Sequence, residues 1–448
     1  DMYREWLAYG SDAKRIATAF TNGINAFVSL LETQPGLMPP EFELLGYRPA
    51  TWQPADVVRI RSHGLWRNVV REVRRAQIVC NLGLEASQLW KVLEPQWQTR
   101  IPEGLDPCTI PERVLDDYLL AKAPVDFDAL ADPEANADSA RETALDAAAR
   151  LALTDTLGSN NWVVAPARTN TGRPILADDP HRSHAVPSLR YIAHLSAPGI
   201  DVIGAGEPAL PGISIGHNQR IAFGLTIFPI DQEDLYVYQK AAEDRQQKRR
   251  RGNGPIELAY VYQDQREAVR VIRESIAVRD APAKSVELKF TRHGPIVMET
   301  DKQLFAVRAA WLEPGMAPYF GSIEYIRAQN WREFRAALNR WGAPAENQVF
   351  ADIDGNIGYK PAGLFPIRRS WDGLLPVPGD GRYEWQGYFD MDVLPEEFNP
   401  ARGFTGTANS MNLPKEYPIN AYRIGFEWSA PWRCLLYTSD AADEDCLV

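Results

Sequence analysis

The sequence predicts an α+β protein in which a helical N-terminal region precedes large antiparallel sheets. Over residues 1–121, apolar side chains recur at helical spacing, most clearly over residues 13–31. From Ser159 onward, short β-branched and aromatic runs alternate with glycine and proline turns, which is typical of antiparallel strands. The chain therefore consists of two unlike halves that meet near Ser159.

Each half contains specific predicted elements. Pro39 ends the first long helix, and Gln53 followed by Pro54 is a start signal for a second one running to about Gly83. In the sheet-rich half, strands are expected at residues 162–164, 175–177, 188–194, 201–204, 221–226, 235–238, 285–291 and 304–311, and one further helix at 323–341. Cys80 and Cys108 alone predict neither a disulfide framework nor a zinc site.

Two segments differ in composition from their surroundings. Residues 122–157 contain eight acidic and three basic residues, with a possible surface helix at 140–153. We interpret residues 122–158 as a spacer open to proteolysis and removed after cleavage. Residues 434–448 look like translated sequencing read-through and are excluded from the fold prediction, which leaves residues 159–433 as the sheet-rich region.

Charge and hydropathy exclude two classes of partner. The net charge of −11 argues against a nucleic-acid partner, whose phosphates require a basic surface. The basic run at residues 248–251 is expected to be a solvated hairpin tip. No apolar run approaches the roughly 18 residues of a membrane span. The composition therefore argues against a nucleic-acid partner and against a membrane span.

Ser159 directly follows a glycine at the boundary between the halves. Gly158 tolerates strained backbone angles and leaves its carbonyl open to attack. If the Ser159 hydroxyl attacks that carbonyl, the peptide becomes an ester, and hydrolysis leaves Ser159 with a free α-amine. This amine titrates near pH ~8 and can accept the hydroxyl proton, so one residue supplies nucleophile and base. The alternative is an ordinary loop serine before a strand.

Two stretches carry a resemblance to a known family. Residues 157–164, Leu-Gly-Ser-Asn-Asn-Trp-Val-Val, resemble the start of the β subunit in the penicillin acylase family of N-terminal-nucleophile amidohydrolases, and residues 37–57 resemble its α subunit. The resemblance covers nearly all of residues 1–433 and implies a four-layer αββα sandwich. It also implies that this sequence is a fragment of an exported, periplasmic precursor. Such a precursor cleaves itself into α and β chains and hydrolyses a linear amide through an acyl-enzyme.

The resemblance also suggests roles for residues around Ser159. Asn347 and the backbone N–H of Ile227 match the oxyanion hole, in which one donor is typically worth ~3–4 kcal/mol. His181 matches a histidine near the nucleophile's amine in cephalosporin and acyl-homoserine-lactone acylases, where benzylpenicillin acylases carry glutamine. Arg368 matches an arginine that supports the asparagine or contacts substrate. Arg182 either lines the acyl pocket, favouring an acidic acyl group, or faces solvent.

A structural calcium ion is the expected cofactor, without any organic one. Asp231, Asp234 and Asp352 match positions that bind calcium in related acylases, and carboxylate oxygens are the ligands that this ion prefers. Glu233 would contribute its backbone carbonyl, and Glu72 is a possible fourth side chain. The alternative is a solvated acidic loop.

Two rival functions belong to other classes. Residues 212–216 match the G-x-S-x-G nucleophile elbow, so an α/β-hydrolase could use Ser214 with Asp231 or Asp234 and His293. That elbow requires a helix after the serine, whereas residues 217–226 indicate a turn and a strand. The second rival is a calcium-stabilised family member that has lost its chemistry.

Overall fold

A computed structural model describes most of the chain and confirms the α+β prediction. It describes residues 2–60, 68–123, 141–146, 158–242 except 183, 185 and 187, 257–278 and 281–434. Most of the predicted spacer, the basic run at 248–251 and the tail after residue 434 lie outside the described residues. Among the described helices, none is long and apolar enough to cross a bilayer.

The described helices concentrate in the N-terminal region, as predicted. They are α1 (Met2–Ala8), α2 (Ala13–Thr33), α3 (Pro40–Leu45), α4 (Pro54–Arg59), α5 (Asn68–Leu82), α6 (Leu84–Trp90), α7 (Asp116–Leu120), α8 (Ser322–Tyr325) and α9 (Trp331–Leu338). Residues 141–146 of the predicted spacer are also helical. Single 3₁₀ turns occupy Pro35–Leu37, Pro107–Thr109, Pro166–Arg168, Ala310–Leu312 and Met391–Val393.

Two predicted helices are interrupted in the structure. A capping box between Gln53 and Asp56 starts α4 where predicted, but Ile60 is extended, so the single helix expected up to Gly83 is wrong. The helix expected over 323–341 is likewise divided into α8 and α9. Asn330 caps α9 by accepting a hydrogen bond from the Glu333 N–H at 3.0 Å, which fixes a new start inside the periodic segment.

The described strands form five sheets, of seven, four, three, two and two strands. The strands are β1 (Ser159–Val164), β2 (Ile175–Pro180), β3 (Tyr191–Ala197), β4 (Ile200–Gly206), β5 (Ile215–Asn218), β6 (Ile221–Ile227), β7 (Glu233–Gln239), β8 (Ala259–Tyr262), β9 (Gln265–Ala268), β10 (Arg270–Val278), β11 (Ala281–Phe290), β12 (Ile296–Glu299), β13 (Gln303–Ala309), β14 (Glu346–Asp352), β15 (Ile357–Ala362), β16 (Val377–Pro378), β17 (Glu397–Phe398) and β18 (Phe404–Thr407). The largest sheet has the order β17-β15-β14-β6-β5-β4-β3, and a second has the order β18-β1-β2. Both of these are antiparallel.

The two sheets pack face to face and are covered by helices. Buried Val163 of β1 packs against Val349 and Tyr359 of the seven-stranded sheet. Gly224 of β6 makes room for Asp178 of β2, because a Cβ there would lie 2.7 Å from the Asp178 Oδ1. Apolar residues of α2, α4, α8 and α9 pack in one cluster with β4, β6 and β14 of the seven-stranded sheet. The helices, the seven-stranded sheet and the three-stranded sheet thus form three successive layers.

A further sheet, β12-β13-β7-β16, packs against α5. Val69 and Val73 of α5 contact a cluster that includes Leu235 of β7. Cys80 at the end of α5 forms a disulfide with Cys108. This corrects the sequence analysis, in which two cysteines without a spacing motif gave no reason to expect a bond.

Candidate active site

Ser159 begins β1 and is fully buried. Its hydroxyl donates a hydrogen bond to the Gly158 carbonyl oxygen at 2.5 Å, and its backbone N–H donates to Asn409 Oδ1 at 2.7 Å. A Cβ on residue 158 would lie 2.6 Å from Arg433 Nη2, so a side chain there would displace the Arg433 guanidinium. The hydroxyl therefore lies beside the carbonyl group that it would attack.

The Gly158 carbonyl accepts hydrogen bonds from the segment after β2. The β1–β2 ladder pairs Ser159 with Pro180, which places His181 opposite Gly158. The His181 backbone N–H donates to the Gly158 oxygen at 3.0 Å, and Arg182 Nη1 donates at 3.4 Å. Donors aimed at a carbonyl oxygen stabilise the negative charge that develops during attack.

The imidazole of His181 does not contact Ser159 in the structure. Its Nε2 lies 2.9 Å from Asp179 Oδ2 and 3.1 Å from Asn160 Nδ2. The hydrogen bond with His181 lowers the pKa of the Asp179 carboxyl. In the structure His181 reaches the Gly158 carbonyl through its backbone N–H, and a role for its ring near the serine amine stays a prediction.

Asn409 joins the nucleophile to the predicted oxyanion hole, and the sequence analysis missed it. Its Oδ1 accepts from the Ser159 N–H at 2.7 Å and from Arg433 Nη2 at 2.8 Å. Its Nδ2 donates to the Ile227 carbonyl at 2.8 Å. Asn409 has φ +66°, a left-handed conformation that asparagine tolerates better than most residues. The available signal was an asparagine in a run of small polar residues directly after β18.

Asn347 and Ile227 lie together, as predicted. Asn347 Nδ2 donates to the Ile227 carbonyl at 3.1 Å and to the hydroxyls of Thr226 and Thr407 at 3.2 Å each. Asn347 Oδ1 accepts from Tyr359 at 2.7 Å. An amide nitrogen has two hydrogens for these three acceptors, so the set contains one acceptor more than it needs.

The Ile227 peptide has a defined direction. Phe228 N–H donates to the Ala345 carbonyl at 3.0 Å, and Ile227 faces Glu346 in the β6–β14 ladder. Such a pair is of the non-hydrogen-bonded kind, so the N–H and C=O of Ile227 both point away from β14. In this structure it is the Ile227 carbonyl that accepts from Asn347.

A buried group of charged residues lies next to the oxyanion pair. Burial raises the pKa of Glu346 to about 8, and Tyr319 donates to its Oε1 at 3.1 Å. Arg190 pairs with Glu207 at 2.9 Å and lies over the Tyr319 ring at 5.3 Å. Within the described residues, Arg182 Nη2 and both Nη atoms of Arg190 are buried without a hydrogen-bond partner.

Arg368 contacts the predicted calcium ligands instead of Asn347. Its Nε donates to Asp234 Oδ2 at 2.8 Å and its Nη2 to Asp231 Oδ1 at 3.0 Å. The same guanidinium donates to the backbone carbonyls of Asp231 at 3.3 Å and Glu233 at 3.2 Å. Arg368 was predicted to support Asn347 or to contact substrate; in the structure these four oxygens bind its guanidinium, which makes no described hydrogen bond with Asn347.

The remaining predicted ligands do not complete a calcium site. Glu72 Oε2 accepts from the Leu235 N–H at 2.9 Å, and burial raises the pKa of Glu72 well above its usual range. Asp352 lies at the far end of β14, opposite Ile221, and its carboxylate accepts from the backbone of Asp354 and Asn356. Asp352 therefore closes a hairpin turn rather than joining this cluster. No group of three or more acidic, His or Cys residues suited to a metal occurs in the described part of the chain.

The Ser214 alternative is contradicted. Ser214 is buried, its hydroxyl donates to Glu207 Oε2 at 2.8 Å, and strand β5 follows it where an elbow needs a helix. His293 pairs with Glu384 at 2.9 Å, while Asp231 and Asp234 pair with Arg368. The proposed triad is therefore not assembled.

A buried serine directly after a glycine begins a strand in one of two antiparallel sheets that pack face to face. This arrangement is that of an N-terminal-nucleophile type of hydrolase fold. The family model described as penicillin amidase matches residues 1–442, so the chain belongs to the penicillin amidase family. A solved structure of thermostable penicillin G acylase from Alcaligenes faecalis is similar, with a TM-score of 0.52 and 25% identity over 64% of this chain and 50% of that one. This similarity is consistent with the predicted fold.

Curated relatives carry two kinds of name. The chain is 29% identical to penicillin acylase 2 proenzyme of Pseudomonas sp. (strain SE83), over 93% of this chain and 50% of the relative. It is 29% identical to acyl-homoserine lactone acylase QuiP of Pseudomonas fluorescens (strain Pf0-1), over 94% and 48%. Penicillin G acylase of Escherichia coli is 27% identical over 90% and 50%. The chain thus spans about half the length of these relatives.

Proposed function

We propose that this chain is part of an amidohydrolase that cleaves its own Gly158–Ser159 bond and then uses Ser159 as an N-terminal nucleophile. The position of the Ser159 hydroxyl at the Gly158 carbonyl, with the His181 N–H on the same oxygen, is the observation that carries the proposal. The family membership supports the same reaction class. The products of the second reaction would be a carboxylic acid and an amine.

In the first reaction, Ser159 Oγ bonds to the Gly158 carbonyl carbon. His181 N–H and Arg182 Nη1 stabilise the oxyanion, the C–N bond breaks, and the hydroxyl proton passes to the Ser159 nitrogen. Water then hydrolyses the ester and restores the hydroxyl. Asn409 acts here as a positioning residue, because its Oδ1 holds the departing nitrogen at 2.7 Å.

In the second reaction, the free Ser159 amine takes the hydroxyl proton while Oγ attacks a substrate amide. Asn347 and the Ile227 N–H are the proposed oxyanion donors. Asn347 Nδ2 can exchange one of its three acceptors for the substrate oxygen without leaving a hydrogen unpaired. The acyl-enzyme is then hydrolysed by water, which returns the serine.

Two half-buried arginines, Arg182 and Arg190, have buried Nη atoms that favour an acyl group carrying a hydrogen-bond acceptor. Arg182 Nη2 and the Nη atoms of Arg190 have no hydrogen-bond partner within the described residues, and Arg182 lies at the Gly158 carbonyl. Glu346 beside them holds its proton at pH 7, because its pKa is raised to about 8 by burial. We therefore propose a preference for acidic or oxygen-bearing acyl chains.

The remaining features are proposals from the family. Residues 1–121 would belong to an α chain, 122–158 to a removed spacer and 159–433 to a β chain, and the product would be an exported, periplasmic αβ enzyme. Relatives named penicillin acylase and acyl-homoserine lactone acylase suggest N-acyl amides as substrates. The Arg368 contacts do not fit a calcium ion among Asp231 and Asp234, so no step depends on one.

A substrate panel tests the activity. Amine release from N-acyl-homoserine lactones, glutaryl amides and phenylacetyl amides is measured for the processed protein, with Asn347→Ala as the impaired variant. We expect the wild type to turn over at least one class of substrate. Asn347→Ala should lower the turnover rate by about 100-fold or more, the usual effect of removing one oxyanion-hole donor. Equal rates in both proteins would contradict the proposed oxyanion hole.

A further inference from the structure

We propose that the Arg368 guanidinium takes the place of the calcium ion expected between Asp231 and Asp234, so that this protein holds the cluster together without a metal. The inference does not rest on the proposed reaction. It concerns a buried group far from solvent: the Arg368 and Asp234 side chains are 1% and 0% exposed.

The guanidinium binds the same oxygens that calcium would need. It reaches one carboxylate oxygen each of Asp231 and Asp234, at 3.0 and 2.8 Å, and the backbone carbonyls of Asp231 and Glu233. A planar guanidinium has five N–H donors, and four contacts of this kind use its fork geometry well. Calcium instead requires six to eight oxygens at about 2.3–2.6 Å.

Two tryptophans also donate to the cluster, whereas the Glu72 carboxyl beside it accepts from the Leu235 N–H. Trp371 Nε1 donates to Asp234 Oδ1 at 3.1 Å, and Trp385 Nε1 donates to Asp234 Oδ2 at 2.5 Å. Both oxygens of Asp234 are thus occupied by N–H groups. The Arg368 guanidinium also lies 5.5 Å from the centre of the Trp385 ring, in cation–π contact.

The site is too closed for both cations. A Cβ on Gly373 would lie 2.2 Å from Asp231 Oδ2 and 3.1 Å from Arg368 Cζ, so the backbone there packs directly on the ion pair. A divalent ion at these oxygens would stand a few ångströms from a buried positive charge and would be repelled strongly at low dielectric. Calcium binding would therefore require Arg368 to leave.

Metal content and thermal unfolding of the purified protein test this inference. Calcium is measured by mass spectrometry after gel filtration, and Tm is compared in EDTA and in excess CaCl2. Arg368→Gln leaves the carboxylates without their cation. Arg423→Gln is the matched control, since Arg423 donates to the nearby carbonyls of Arg369 and Trp371 and to no carboxylate of the cluster.

We expect no stoichiometric calcium in the wild type or in Arg423→Gln, and the same Tm in EDTA and CaCl2 for both. Arg368→Gln should lose about 10 °C in Tm, as when one partner of a buried pair is removed, and regain part of it in CaCl2. If Arg368→Gln does not fold, the wild-type measurements decide alone. One calcium per chain, or a fall in Tm in EDTA, would overturn the inference. If Glu72→Gln abolished that calcium, the ion would be assigned to Glu72, whose Oε1 has no hydrogen-bond partner in the described chain.

Discussion

Replacing Asn409 with alanine should slow cleavage at Ser159. The side chain accepts from the Ser159 N–H at 2.7 Å and donates to the Ile227 carbonyl at 2.8 Å. Removing it leaves the nitrogen that departs during cleavage without its acceptor. The scissile bond then loses its fixed orientation relative to the hydroxyl.

The size of the effect follows from the two hydrogen bonds that Asn409 makes with the Ser159 and Ile227 peptides, leaving aside the one from Arg433. Each neutral bond contributes about 1 kcal/mol, so losing both in the transition state costs ~2 kcal/mol. That corresponds to cleavage roughly 30-fold slower, since 1.36 kcal/mol is tenfold in rate. Asn409→Asp keeps the acceptor and loses the donor, so we expect a reduction of about fivefold.

Cleavage is followed by pulse-labelled cell-free synthesis and gel electrophoresis. Asn399→Ala is the matched control, because Asn399 also has a positive φ, 51°, and its side chain also accepts from one residue, Ile357, and donates to another, Asn356. Both alanine variants lose ~1–2 kcal/mol of stability from the left-handed backbone. Only Asn409→Ala should cleave slowly. Cleavage of folded Asn409→Ala at the wild-type rate would refute the positioning role.

Three further predictions concern other parts of the molecule. Burial raises the pKa of Glu346 to about 8, so between about pH 4.5 and pH 8 the folded chain keeps a proton that the unfolded chain has lost. The free energy of unfolding should therefore fall as pH rises through this window. Glu346→Gln should flatten that fall in denaturant titrations at pH 5, 7 and 9. Cys80→Ser combined with Cys108→Ser should lower the free energy of unfolding by ~3–4 kcal/mol in the same titrations, from the 28-residue separation of the bonded pair; an unchanged value would contradict the bond. Ser214→Ala should cost ~1 kcal/mol through its hydrogen bond with Glu207 and leave cleavage at the wild-type rate, which gel electrophoresis measures.

The sequence predicted the parts of this structure that have local signals. The change from helical to strand periodicity located the boundary at Ser159, and the Gly158–Ser159 pair identified the candidate nucleophile. The segment around Asn347 is a strand followed by a tight turn, and the structure pairs it with β6 near Ile227. In each case the informative residues lie within a few positions of one another.

Contacts between distant segments could not be predicted in this way. Asn409 lies 250 positions from Ser159, and only the pairing of β18 with β1 brings it close. Arg368 was assigned by its position in a motif, but its hydrogen-bond partners are set by packing against the start of β7. The helix end at Ile60 likewise left no signal in the apolar spacing.

The most direct test of self-cleavage is the intact mass and N-terminal sequence of the expressed protein, compared with Ser159→Ala and Ser159→Cys. The geometry at Gly158 predicts a new chain that begins Ser-Asn-Asn-Trp in the wild type. The thiol variant should also cleave, because it keeps a nucleophile, and the alanine variant should remain intact. A soluble, folded and uncleaved wild-type chain, or cleavage that persists in Ser159→Ala, would contradict the account.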